Sequence, residues 1–320
     1  MLVIDAHTHW RRDPGFVSIR FIARQASGRV DKAALFARPE VQTRYFDPDA
    51  SKMIAYMDDA GVDMAMTCPV DYGLFLGEAD MSIEEINACY PPMMERWPGR
   101  FVYYAGVDPR RPNAVALFKK ALTEWGAQGL KLMPAAGFLP NDEICHPLYD
   151  LAMEYGASVI FHTGPKADMK SRLGHPFYVD DLAADYPDLN IVLGHVAGEW
   201  WRDAKTVMRG KRNCYGELAG WQRRFHEEPE QFFRDLGELR DAIGADHIMF
   251  GTDAPTQVSL RRFVDALKTL PESAGQYGVK FTAEEAEAIV GGNFARLHAI
   301  AVPPAPAVAE RVAEPASARR

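Results

Sequence analysis

Leu2-Val3-Ile4-Asp5-Ala6-His7-Thr8-His9 reads as a strand that starts apolar and ends in two imidazoles. Residues two apart in a strand share a face. His7 and His9 therefore leave together near the strand's C-terminal end. Seven further apolar runs follow, at residues 62–69, 100–107, 129–134, 157–163, 190–195, 213–219 and 247–252. They are rich in Val, Ile, Leu, Phe and Met, as expected of parallel strands buried on both faces. From Lys131 to His162 is 31 residues, from His162 to His195 is 33, and from Ala219 to Asp253 is 34. Each interval suits one strand and one helix.

Helix signals lie between the runs. Ser82 with Glu85, and Thr282 with Glu285, fit capping boxes. A helix is predicted from Asn141-Asp142 to about Tyr155, closed by Gly156. Another is predicted over 113–125, closed by Gly126. Strands alternating with helices imply βαβ crossovers and a parallel sheet. Eight units predict a single (β/α)8 TIM barrel, an α/β fold, over residues 1–301. The rival is an open doubly wound sheet. A nucleotide-binding version of it would need GxGxxG or GxxxxGK[ST] after a strand, and neither occurs.

Two segments fall outside the rhythm. Residues 10–47 form an unusually long first βα loop carrying Arg11, Arg12, Arg20, Arg24, Arg29 and Arg38. Such loops often serve as lids or substrate loops. Residues 302–320 are rich in Pro and Ala and are expected to be a disordered tail or an arm in an oligomer.

The net charge of −8 argues against a nucleic-acid partner, which would need a basic face. It leaves an anionic small molecule open, because local arginines can oppose the overall field. Four cysteines without a CxxC pair form neither a disulfide framework nor a zinc knuckle. They read as free thiols of a reducing compartment. No leader pattern precedes Leu2, and no apolar run approaches about 18 residues. A cytoplasmic location without membrane contact is expected.

A lone HxH is a weak metal signal; its position strengthens it. Phe161-His162-Thr163-Gly164, Leu193-Gly194-His195 and Phe250-Gly251-Thr252-Asp253 place two more imidazoles and a carboxylate at strand ends. Lys131 ends the fourth strand. In a parallel barrel these ends meet on one face. Core histidines could explain one or two of them, not the set. Converging imidazoles and a carboxylate suit a divalent metal such as zinc. Arg20 and Arg24 are candidates for holding a substrate carboxylate, since Arg binds carboxylates through two parallel hydrogen bonds. Trp10 and Trp221 are candidate aromatic walls, or simple packing. Glu217 has inward parity on the seventh strand, where Lys131 is a conceivable partner.

The set resembles the amidohydrolase superfamily, and more finely its amidohydrolase-related branch. That branch holds 2-amino-3-carboxymuconate-6-semialdehyde decarboxylase, γ-resorcylate decarboxylase and several ring-cleavage hydrolases and hydratases. The matching stretches are IDAHTHW (4–10), GLKLMP (129–134), HPLYDLAMEYGASVIFHTG (146–164), YPDLNIVLGHVAG (186–198), FGTDAP (250–255) and GGNFARLHAI (291–300). The resemblance implies that His7, His9, His162 and Asp253 hold one divalent ion, Zn²⁺ first and Mn²⁺ next. It implies that His195 acts over the metal as acid, base or electrostatic helper, and that Asp253 also shuttles a proton. It gives Lys131 two readings. One is a carbamylated bridge between two metals, as in some members. The other is a cation facing a carboxylate or a substrate oxygen. It also implies a homo-oligomer.

The leading expectation is a metal-dependent hydrolase using metal-activated water on a small carboxylated cyclic or aromatic-derived substrate, at an amide, lactone or C–C bond. The alternative is a metal-dependent non-oxidative decarboxylase of an aromatic or muconate-type acid. A second alternative is a non-catalytic metal-binding barrel.

Overall fold

All eight predicted runs contain a strand in the computed structural model, which describes residues 1–18, 20, 38–39, 45–166, 169–255 and 260–301. The strands are β1 Ile4–Thr8, β2 Met64–Thr67, β3 Phe101–Gly106, β4 Gly129–Leu132, β5 Ser158–His162, β6 Ile191–Gly194, β7 Cys214–Glu217 and β8 Ile248–Met249. Each pairs in parallel with the next in sequence order. β8 returns to β1 through Ala6 N to Phe250 O (2.9 Å), Asp253 N to His7 O (2.8 Å) and His9 N to Ala254 O (2.7 Å). The chain is a single (β/α)8 barrel.

The main helix after each strand is, in order, α1 Ser51–Ala60, α2 Tyr90–Arg96, α3 Ala114–Glu124, α4 His146–Glu154, α5 Phe177–Asp185, α6 Trp201–Arg209, α7 Pro229–Ile243 and α8 Leu260–Lys268. Both capping boxes form, Ser82 with Glu85 and Thr282 with Glu285. Gly156 takes a left-handed φ of 65° two residues after α4, where a side chain would be strained. Among the described residues no helix is long and apolar enough to cross a membrane. The four cysteines are free. Residues 302–320 lie outside the described residues.

The core has two shells. Val159, Phe161, Leu130 and Leu132 face outward to the helices, while Ile4, Val102, Ile160 and Val192 face the barrel axis. Alternation along a strand produces this split. Lys131 and Glu217 fall on the inward parity of β4 and β7. β1 achieves the same by a bulge. Its pairs with β2 run Asp5↔Ala65 and then Thr8↔Thr67, so β1 spends three steps where β2 spends two. One extra residue flips a strand's facing. Ile4 and Ala6 fill the interior below the bulge, and His7 and His9 face it above.

Candidate metal centre

His7 is fully buried, and its two ring nitrogens have different tasks. Nδ1 lies 2.8 Å from Glu217 Oε1. The carboxylate can only accept, so Nδ1 carries the proton and Nε2 keeps its lone pair. Nε2 sits 2.9 Å from Lys131 Nζ and 4.0 Å from Asp253 Oδ1. His9 repeats the scheme: Nδ1 donates to Cys68 O at 2.9 Å, and Nε2 lies 3.0 Å from Asp253 Oδ1. Both Nε2 atoms therefore face the same carboxylate oxygen. A metal-binding histidine typically donates its other ring proton to such an acceptor, which fixes its tautomer.

His162 and His195 make a second tautomer chain. His195 Nδ1 donates to Ala219 O at 3.2 Å, which leaves its Nε2 to accept from His162 Nδ1 at 3.0 Å. His162 Nε2 is then an unprotonated nitrogen. It is buried and has no hydrogen-bond partner. An orphaned buried lone pair is costly unless something occupies it. A cation fits that requirement.

Charge agrees with this assignment. Burial and then the Lys131 charge hold the His7 pKa well below its ordinary value, so the ring stays neutral. Burial and His195 do the same to His162. Burial lowers Lys131. His9 goes the other way, to about 9: burial opposes the charge, but the Cys68 sulfur and Asp253 outweigh it. The proton it gains sits between His9 and Asp253, where positive charge is favoured. Burial favours a neutral Asp253, yet His9, His7 and His195 hold that carboxyl well below the usual range.

Glu217 is the hub beneath the site. Besides His7 it accepts from the backbone N–H of His195 (2.5 Å) and Ala219 (2.6 Å). Burial raises its pKa, and the neighbouring His195 and the two amides pull it back. Gly251 permits this hub, because a Cβ there would lie 2.3 Å from Glu217 Oε2. The expected pairing of Glu217 with Lys131 is not the one formed. The two sit on opposite nitrogens of the His7 ring.

Backbone strain gathers at the same rim. His195, Val196, Ala197 and Asp253 all have φ between 42° and 62°. Such residues cost on the order of 1–3 kcal/mol each and persist where surroundings fix them. Asp253 is held by its N–H to His7 O and by its neighbours. Thr252 gives its N–H to Asp5 Oδ1 (3.0 Å) and its hydroxyl to Asp5 Oδ2 (2.5 Å). Gln222 Nε2 donates to Thr252 O (2.5 Å).

The other predicted residues separate. Trp221 donates its indole N–H to His195 O at 3.0 Å and lines the open groove beside the histidines. Trp10 is buried against Phe16 and Tyr90, with its indole N–H on Asp47 O at 2.6 Å. It belongs to a side cavity of about 190 Å³ next to the site. Arg20 is exposed and lines none of the cavities at the histidines. Its side chain lies near Gly77. Arg24 lies outside the described residues. The cations that do line the centre are Arg11, Lys131 and Lys166. Sequence reasoning had named Arg11 only as one loop arginine and had passed over Lys166. Their offsets, two residues after His9 and four after His162, were the available signals.

Two groups of three residues among those described bring their ligand atoms within 4.8 Å of one another, His7–His9–Cys68 and His7–His195–Glu217. Glu217 is already committed to three donors, and the Cys68 sulfur lies 3.6 Å from His9 Nδ1, the nitrogen turned away from Asp253. His162 Nε2 is the atom with no hydrogen-bond partner, while His7 Nε2 meets Lys131 Nζ and His9 Nε2 shares a proton with Asp253; a cation at this rim would take the place of those two donor contacts. The donor set of imidazole and carboxylate fits Zn²⁺ or Mn²⁺.

No curated protein matches the sequence. Among solved structures, a 5-carboxyvanillate decarboxylase from Novosphingobium aromaticivorans, complexed with manganese and 4-hydroxy-3-methoxy-5-nitrobenzoic acid, is 16% identical, with TM-score 0.66 over 93% of this chain and 96% of that one. A 4-oxalomesaconate hydratase from Rhodopseudomonas palustris is 18% identical, with TM-score 0.62 over 93% and 96%. An amidohydrolase from Burkholderia multivorans with bound zinc is 15% identical, with TM-score 0.60 over 93% and 99%. These likenesses show the fold. The amidohydrolase family matches residues 4–299, nearly the whole barrel, and the chain belongs to that family.

Proposed function

We propose that this chain is a metal-dependent hydrolase that cleaves a small carboxylated cyclic or aromatic-derived substrate with metal-activated water. His7, His9, His162 and Asp253 would hold one divalent ion, Zn²⁺ or Mn²⁺. When bound, that ion would supply a water of lowered pKa and a Lewis acid for a carbonyl oxygen.

The chain's own groups do the rest. Glu217 keeps His7 Nε2 unprotonated and anchors the His195 backbone. Asp253 is a carboxylate able to take a proton from the attacking water and return it to the leaving group. His195, whose Nε2 accepts from His162 Nδ1, orients that ring and lines the groove side of the site. The buried walls under these residues exclude bulk water and strengthen every charge interaction.

The observation that carries hydrolysis over other chemistries is a junction. His162, His195 and Asp253 line both a polar cavity of about 130 Å³ and an open groove of about 670 Å³. A bond placed at these residues can have a compact acid on one side and a larger leaving part on the other. The small cavity alone would suit decarboxylation of an aromatic acid, which is the second reading; the fold likeness to 5-carboxyvanillate decarboxylase keeps it in view.

Turnover in ¹⁸O-labelled water separates the two. The metal-loaded protein would be screened with carboxylated lactones, cyclic amides and hydroxybenzoic acids. The hydrolase reading expects one ¹⁸O in the product carboxylate. Release of CO₂ without label in the organic product would replace it with the decarboxylase reading.

A further inference from the structure

Lys166 stands four residues beyond the end of β5, on the loop leaving His162. Its backbone is pinned on both sides: its N–H donates to Ser171 Oγ at 3.0 Å, and its carbonyl accepts from the Ser171 hydroxyl at 3.0 Å. The carbonyl also accepts from Met169 N at 3.2 Å. These bonds hold the backbone at Lys166, whose side chain is half-buried. Lys166 lines the 130 Å³ cavity and the 670 Å³ groove, as His162, His195 and Asp253 do. Its charge reaches His7, His162 and Lys131, and lowers the pKa of each.

Arg11, Lys131 and Lys166 all line the small cavity, and Lys131 Nζ is spent on His7 Nε2 at 2.9 Å. Among the described lining residues Asp253 is the carboxylate, and His9 already lies 3.0 Å from it. Among the described residues Lys166 makes no ion pair. A half-buried ammonium at a functional cleft without a carboxylate partner is incomplete in the way a binding site is incomplete. A divalent ion at the histidines would add further positive charge, so the cleft beside Lys166 favours an anionic ligand.

We propose that Lys166 is a specificity-determining residue: it takes a carboxylate of the substrate and so orients the scissile bond over the histidines. This rests on the hydrolase reading for its substrate class, but the anion site exists with or without that reaction. The ligand is a small organic dianion. One carboxylate, or the carbonyl derived from it, faces the histidines, and the other meets Lys166. Arg20, the loop arginine first favoured for this task, stays exposed.

The test is calorimetric titration of the full chain with isophthalate and with its neutral isostere isophthalamide, both with and without Zn²⁺. Wild type, K166M and K166R are compared, and metal content is measured on each sample. Wild type is expected to prefer the dianion. K166M should lose about tenfold of dianion affinity while diamide affinity stays within twofold of wild type. K166R, which keeps the charge, should recover most of the loss. Equal dianion affinity in wild type and K166M would overturn the proposal, as would no isophthalate binding by wild type at about 10 mM, a concentration that detects even weak sites. Absence of bound Zn²⁺ in wild type would count against the metal centre instead. A dianion effect of K166M that persists in the metal-free protein would still stand.

Discussion

Glu217 shows how one side chain can govern a site it does not face. It fixes the His7 tautomer and fastens the backbone of His195, whose φ is 62°. Removing its charge should loosen the ion more than the fold. Glu217→Gln is expected to lower Zn²⁺ affinity about 10- to 100-fold, the usual cost of losing such a partner. Competition with a chromogenic chelator would read this; an unchanged affinity would contradict the role. Thr252, just beyond β8, plays the matching part towards β1. Thr252→Val removes the hydroxyl that Asp5 Oδ2 and Ala254 N both use. Leaving those buried groups unpaired should cost about 1–3 kcal/mol, visible in the urea midpoint. A shift below a few tenths would mean that Asp5 finds another partner.

Elements explain why the site assembles at one rim. Eight apolar runs were legible because a parallel strand buried on both faces is continuous in Val, Ile and Leu. The ends of β1, β5 and β6 were legible too, since each run stops at a histidine. β8 was not: residues 247–252 read as one strand, yet only Ile248–Met249 are extended in the sheet. Phe250 N turns to Ile289 O, Thr252 N is taken by the Asp5 side chain, and Asp253 adopts a left-handed φ. A competing side-chain acceptor 247 residues away leaves no local pattern. The β1 bulge was equally hidden, because an extra residue is defined only by the partner strand. Trp10 was ambiguous between wall and packing for the same reason, and its burial came from residues 16 and 90. At the opposite end of the barrel, the helix Asn293–Leu297 brings His298 Nε2 to 2.6 Å from Tyr104 Oη, which also bonds Ser158 Oγ. Burial lowers the His298 pKa to about 4. The folded state thus holds a neutral imidazole that the unfolded chain protonates near 6.5. Its contribution is present above pH 6.5 and is lost as pH falls from 6.5 towards 4, up to about 3 kcal/mol. Denaturation midpoints across that window should fall with pH in the wild type and flatten in His298→Gln; parallel curves would contradict it.

The whole molecule joins a closed barrel to a charged opening. Closure needs the β8–β1 bonds, and the same bonds carry Asp253 to His7 and His9. Binding an ion at this seam should therefore stabilise the entire barrel. At a hundredfold excess over Kd the gain is about 2.7 kcal/mol, roughly 4 °C in Tm for a chain of this size. Chelation should reverse it, by calorimetry, and a Tm indifferent to added Zn²⁺ or Mn²⁺ would separate the metal from the fold. The net charge of −8 contrasts with the cationic lining of Arg11, Lys131 and Lys166, so the field favouring an anion is local to the opening.

Anomalous diffraction at the metal edge from crystals of the metal-loaded protein addresses the central claim most directly. A single peak within about 2.0–2.3 Å of His7 Nε2, His9 Nε2, His162 and an Asp253 oxygen is the predicted result. A peak seated instead on Cys68, or no peak at this rim while ions bind elsewhere on the protein, would contradict it.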